Sequence, residues 1–111
     1  MSKKKERFLK FKAHFDRWAD RFGLNCYDIT YRESKTEERA AYIEINASAK
    51  FATVYLCKGK CNYSLKQLAL HEAIHLLLGD LTNIAMKRVM TGDELEEAEE
   101  AVVNMLTMVV K

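Results

Sequence analysis

His71-Glu72-Ala73-Ile74-His75 brings two imidazoles and a carboxylate into five consecutive residues. On a helix, the i, i+4 spacing stacks both imidazoles on one face, a turn apart, where two ring nitrogens can hold one Zn²⁺. Glu72 starts from an adjoining edge of that face and can reach a water bound to the metal. The chemistry open to such a set is hydrolysis: the metal lowers the pKa of its water to ~7 and polarises a carbonyl, and the carboxylate takes the proton. The bland alternative is a pair of partly exposed histidines with a glutamate satisfied by local hydrogen bonds.

The neighbours of the motif favour the metal. Ser64 followed by Gln67 forms a capping box that opens the run Leu65 to Leu78, and Leu68, Leu70, Ile74, Leu76, Leu77 and Leu78 surround the histidines. A helix apolar on nearly every side belongs at the centre of a domain. Three ionisable side chains are costly to bury there unless they are paired or liganded.

A catalytic zinc normally takes three protein ligands and a water. His14, the one other histidine, falls off the apolar stripe of its helix. The extended HExxHxxGxxH arrangement is absent, because Gly79 comes four residues after His75 and no histidine follows. A carboxylate from the last helix is therefore the expected ligand. Thr91 with Glu94 forms a second capping box there, and Leu95, Val102, Val103, Leu106, Val109 and Val110 continue as an apolar stripe. Most of the acids at its start, Asp93, Glu94, Glu96, Glu97, Glu99 and Glu100, complement the helix dipole. Glu99 falls in line with Val102, Val103 and Leu106 and so points inward, and Glu100 lies about 100° further round and can also reach a site at the edge of that face. One of these two glutamates is the expected third ligand, with Glu96 a more distant choice.

The elements that must position this set can be read from periodicity. Phe8, Phe11, Phe15, Trp18 and Phe22 are spaced 3, 4, 3, 4, which predicts a packing helix from about residue 4 to Gly23. Tyr27 to Tyr31, Ala41 to Ala47 and residues 51–57 carry the alternating or β-prone character of three strands. Residues 47–50 are short enough to close an antiparallel hairpin, and residues 32–38 form a polar connection. Residues 80–90 read as a helical turn and loop. Strands and helices in separate blocks predict an α+β domain in which a small antiparallel three-stranded sheet packs on helices.

At 111 residues the chain is a single domain, 1–111, and its 49% hydrophobic and 31% charged composition with no proline excludes a disordered or linker-rich chain. Eighteen basic against sixteen acidic side chains leave +2, too weak a field to recruit nucleic acid or anionic lipid, and the lysines at the N-terminus read as a solvated helix end. No stretch approaches the ~20 apolar residues of a membrane span, and no apolar signal core follows the basic start. Cys26, Cys57 and Cys61 suit free thiols in a reducing cytoplasm, and Cys57 with Cys61 offers only two ligands for a second metal. A cytoplasmic protein is expected.

The segments LALHEAIHLLLGDL and EEAEEAVVNMLTMVV together resemble the small zincin-like metallopeptidases of the glutamate-ligand type that recur in bacteriophage and prophage genomes. The resemblance covers roughly residues 24–111. It implies a zincin-like fold with a central HExxH helix and a C-terminal ligand helix. It also implies one Zn²⁺ per chain held by His71, His75 and either Glu99 or Glu100, with Glu72 as catalytic base and a peptide or protein as substrate. In that family the strand before the motif helix offers an edge to an extended peptide, the place that residues 51–57 occupy here. Tyr55 and Tyr63 are nearest in sequence to stabilise a tetrahedral intermediate, although a structural role suits each. The alternative function is a phage-derived zinc-binding protein that docks on a host or phage protein with little or no turnover.

Overall fold

The computed structural model describes residues 2–86 and, beyond them, Glu96, Glu97, Glu99, Glu100, Val103, Asn104 and Thr107. Helix α1 spans Lys3–Arg21, and the Ser2 hydroxyl caps it by accepting the Lys5 N–H at 3.2 Å. Its aromatic spacing is its buried face: Phe11, Phe15 and Trp18 are buried, and Phe8 and Phe22 pack against the same core. Gly23 adopts φ 71° and ends the helix in a Schellman turn, with its N–H on the Asp20 carbonyl and the Leu24 N–H on that of Ala19.

The strands are β1 (Asp28–Glu33), β2 (Ala41–Asn46) and β3 (Phe51–Leu56). A turn of residues 47–50 joins β2 to β3 as an antiparallel hairpin, held by the Ala49 N–H on Asn46 Oδ1. The spatial order is β1-β3-β2, and β1 pairs with β3 in parallel, so the sheet is mixed and not the all-antiparallel sheet expected from the sequence. The cause is the apolar content of β3. Its inward residues Ala52, Val54 and Leu56 are all buried, which suits the strand covered on both flanks, whereas β1 carries exposed Asp28, Thr30 and Arg32 and is tolerated at an edge. Residues 34–40 carry the chain across the place that β3 later fills, a distance of about two strand spacings, or ~10 Å.

This order overturns the expectation that residues 51–57 offer an edge to a peptide, because both ladders of β3 are already paired. The edges are β1 and β2. The Cys57 N–H bonds the Ala40 carbonyl, so by the alternation of an antiparallel ladder residues 40, 42, 44 and 46 face β3. The backbone N–H and C=O groups of Ala41, Ile43 and Ile45 then point outward, and no strand among the described residues pairs with them.

Helix α2 spans Leu65–Met86, so residues 80–86 are helical where a helical turn and loop is expected from the sequence, and residues 87–90 lie outside the described residues. Its capping box is reciprocal: the Ser64 N–H bonds Gln67 Oε1 at 3.1 Å, and the Gln67 N–H bonds Ser64 Oγ at 3.2 Å. α2 packs against both α1 and β2. Leu70, Ile74 and Leu76 join Phe11, Phe15 and Val54 in the core, so the domain is α+β with the helices on the inner face of the sheet. The later described residues are helical; Val103 and Thr107 are buried, and the Thr107 hydroxyl bonds the Val103 carbonyl at 2.7 Å. The Thr91/Glu94 capping box and Leu95, Val102, Leu106, Val109 and Val110 lie outside the described residues. No helix among the described residues is long and apolar enough to cross a membrane.

The Ser64 cap holds the start of the helix that carries the motif. Ser64→Ala should cost about 1 kcal/mol in urea denaturation and Ser64→Asp much less, since aspartate caps equally well.

Candidate metal centre

Helix α2 places His71 and His75 side by side, with ring centroids 5.0 Å apart. The C-terminal helical residues bring two carboxylates to them. Glu100 spans the pair: one oxygen lies 3.1 Å from His71 Nε2 and the other 3.0 Å from His75 Nε2. Glu99 meets the opposite nitrogen of His75, with Oε1 at 3.1 Å from Nδ1. The Glu99 side chain is 15% exposed and that of Glu100 49%, so Glu99 lies behind the imidazole and Glu100 at the open side.

Three close N···O contacts each hold a proton or another cation between their atoms; two neutral imidazoles supply two N–H protons, and a third proton or a metal ion completes the set. Burial pushes the His71 pKa down, the His75 charge adds to that shift, and Glu100 opposes it, so His71 resists a second proton. A divalent cation between Glu100 and the two Nε2 atoms would match the contacts there, and would leave the buried His71 Nδ1–H without a hydrogen-bond partner among the described residues.

The donor set fits. His71, His75 and Glu100 each offer an atom within 4.8 Å of the others. Tetrahedral zinc with bonds of ~2.0–2.2 Å sets its donors about 3.3 Å apart, a few tenths of an ångström wider than the two N···O contacts here. Glu99 accepting from His75 Nδ1–H would fix the tautomer that leaves Nε2 as a ligand. Tyr63 packs its ring 5.4 Å from that of His71, and its hydroxyl bonds Asn104 Oδ1, four residues after Glu100.

Glu72 is 4% exposed and lines the same cleft of about 270 Å³ as His71, His75, Glu100, Arg39, Tyr42 and Ile43. Burial raises its pKa to about 7; His75 pulls it down, Glu100 pushes it up and Arg39 pulls it down again. A carboxyl poised there can give and take a proton near neutral pH.

The five residues singled out from the sequence, His71, Glu72, His75, Glu99 and Glu100, therefore come together, with Glu99 and Glu100 on opposite sides of His75. His14 lies elsewhere, among Lys10, Arg17 and Lys66, and Glu96 and Glu97 are exposed. Tyr55 stacks on Tyr42, and neither it nor Tyr63 lines the cleft. Cys57 is buried and Cys61 exposed, and the pair forms no metal cluster among the described residues. Arg39, Tyr42 and Ile43 were not foreseen, because their place beside the motif follows from β2 becoming the edge against α2. No protein-family model, curated protein or solved structure matches the chain.

Glu72 yields a pH prediction for the protein stripped of metal by a chelator. Its folded pKa of about 7 stands above the ordinary 4.5, so between those values the native state holds a proton that the unfolded chain has released. Raising pH through this window must destabilise the wild type, by on the order of 3 kcal/mol. Glu72→Gln lacks that dependence. Denaturation midpoints should be similar for the two at about pH 4, and at about pH 8 the variant should be the more stable.

Proposed function

We propose that this chain is a zinc-dependent peptidase. The observation that carries the reading is the His71–His75–Glu100 cluster, close enough to share one metal ion and opening onto a cleft with a buried glutamate. His71 and His75 through Nε2, with Glu100, would hold Zn²⁺; bound there, the ion would supply an activated water and polarise the scissile carbonyl. Glu99 orients His75. Glu72 takes the proton of the attacking water and passes it to the leaving amine. The outward N–H and C=O groups of Ala41, Ile43 and Ile45 give an extended peptide a strand to pair with, and Ile43 itself borders the cleft. The resemblance of the two motif segments to phage-type zincin-like metallopeptidases implies the same roles for His71, His75 and Glu72 and a glutamate third ligand, whereas the peptide edge here is β2 and not residues 51–57.

Equilibrium zinc binding followed by peptide hydrolysis tests the proposal. The protein should bind about one zinc per chain, and the bound metal should raise its melting temperature. His71→Ala and His75→Ala should lose both effects, and Glu100→Gln should lose zinc affinity by orders of magnitude. Glu99→Gln should lose about 10–100-fold, as expected of a group that orients a ligand. Glu72→Gln should keep the metal and hydrolyse nothing. A chain that binds no zinc contradicts the proposal, and zinc bound by a wild type that turns over no peptide would favour the docking protein instead.

A further inference from the structure

Among the described residues, Arg39 is the one arginine or lysine lining the metal cleft. Its guanidinium lies over the Tyr42 ring at 5.0 Å, and no carboxylate among the described residues pairs with it. Tyr42 is itself held, stacked on Tyr55 at 4.3 Å with the rings 9° from parallel. A guanidinium held over an aromatic ring keeps N–H donors for hydrogen bonding, and its fork of donors matches both oxygens of a carboxylate.

The backbone beneath this side chain is fixed from the other side of the sheet end. The N–H groups of Cys57, Lys58 and Gly59 bond the carbonyls of Ala40, Thr36 and Arg39 at 2.8, 2.9 and 3.0 Å. Gly59 has no alternative there: a Cβ would stand 2.3 Å from the Arg39 carbonyl oxygen and 2.9 Å from its Cα. Gly59 is thus a positioning residue for Arg39.

Strand direction decides what Arg39 meets. Arg39 precedes β2, so a peptide pairing antiparallel with the free edge runs its C-terminus toward Arg39, whereas a parallel one would bring its N-terminal ammonium to a like charge. Ile43, which borders the metal cluster, is four residues further along. At ~3.3 Å per residue the backbone separation is about 13 Å, and the guanidinium reaches back over Tyr42, so the reacting bond falls within about four residues of the chain end.

We propose that Arg39 anchors the C-terminal carboxylate of a peptide lying antiparallel along β2, which makes the site selective for cleavage near the C-terminus of its substrate. This deepens the peptidase reading and rests on it.

The test uses the zinc-loaded full chain and a trialanine peptide bearing an N-terminal hydroxamate as its metal-binding group, made with a free C-terminal carboxylate or a carboxamide. Calorimetry should show the carboxylate form binding the wild type at least about tenfold more tightly, or about 1.4 kcal/mol. Arg39→Gln should abolish that preference while keeping zinc affinity and the affinity for the carboxamide. Gly59→Ala should reduce the preference in the same way. A wild type that binds both forms equally, or a preference that survives Arg39→Gln, overturns the anchor while leaving the metal centre standing. A carboxamide peptide ending in aspartate that binds as tightly as the free carboxylate overturns the C-terminal assignment. Failure of both zinc and hydroxamate to bind removes the peptidase reading itself.

Discussion

His75 presents both ring nitrogens to carboxylates, Nδ1 to Glu99 and Nε2 to Glu100, from a helix whose inward neighbours are leucine, isoleucine and alanine. Charged groups in that setting are stable only when each is matched by an opposite charge or a hydrogen bond. The elements that converge here each contribute to the match. The capping box fixes the start of α2, and Val103 and Thr107 bury the helical segment that carries the two glutamates. Tyr63 bridges the two by packing on His71 and bonding Asn104. A cation bound by this cluster would therefore stabilise the contact between α2 and the C-terminal segment, so that metal affinity and folding share one free energy.

The sheet answers a different constraint. The most deeply buried inner face, that of β3, takes the centre, which leaves β2 as an edge lying against α2. This edge borders the cleft, and no strand among the described residues pairs with its three outward-facing residues, while the loop before it is held by the backbone of residues 57–59. An unpaired strand edge exposes the protein to unwanted pairing. In the proposed peptidase, its position beside Glu72 and the histidines would lay a bound peptide across the cleft.

Local features were legible because they depend on residues close in sequence. The aromatic stripe of α1, the Ser64/Gln67 capping box and the spacing of His71 and His75 follow from helical periodicity alone. Sheet order was not legible: alternation marks a strand without stating its partner, and the crossing by residues 34–40 is decided by which strand buries most. Arg39 stood between the polar connection and the second strand with no signal, since its place arises only when that stretch meets Gly59 and the β2 edge. The choice between Glu99 and Glu100 was undecided on helical faces for a physical reason. Adjacent residues about 100° apart can flank a single imidazole, and here they take its two nitrogens.

In the proposed centre the imidazoles and Glu100 bind one metal ion through Nε2, with Glu99 holding the far side of His75. Nitrogen-15 NMR of the two side chains during zinc titration tests this directly. Both Nε2 resonances should shift together, saturating at about one equivalent of zinc, while His75 Nδ1 keeps its proton. Zinc that leaves both imidazoles unchanged, or that binds His75 through Nδ1, would contradict it.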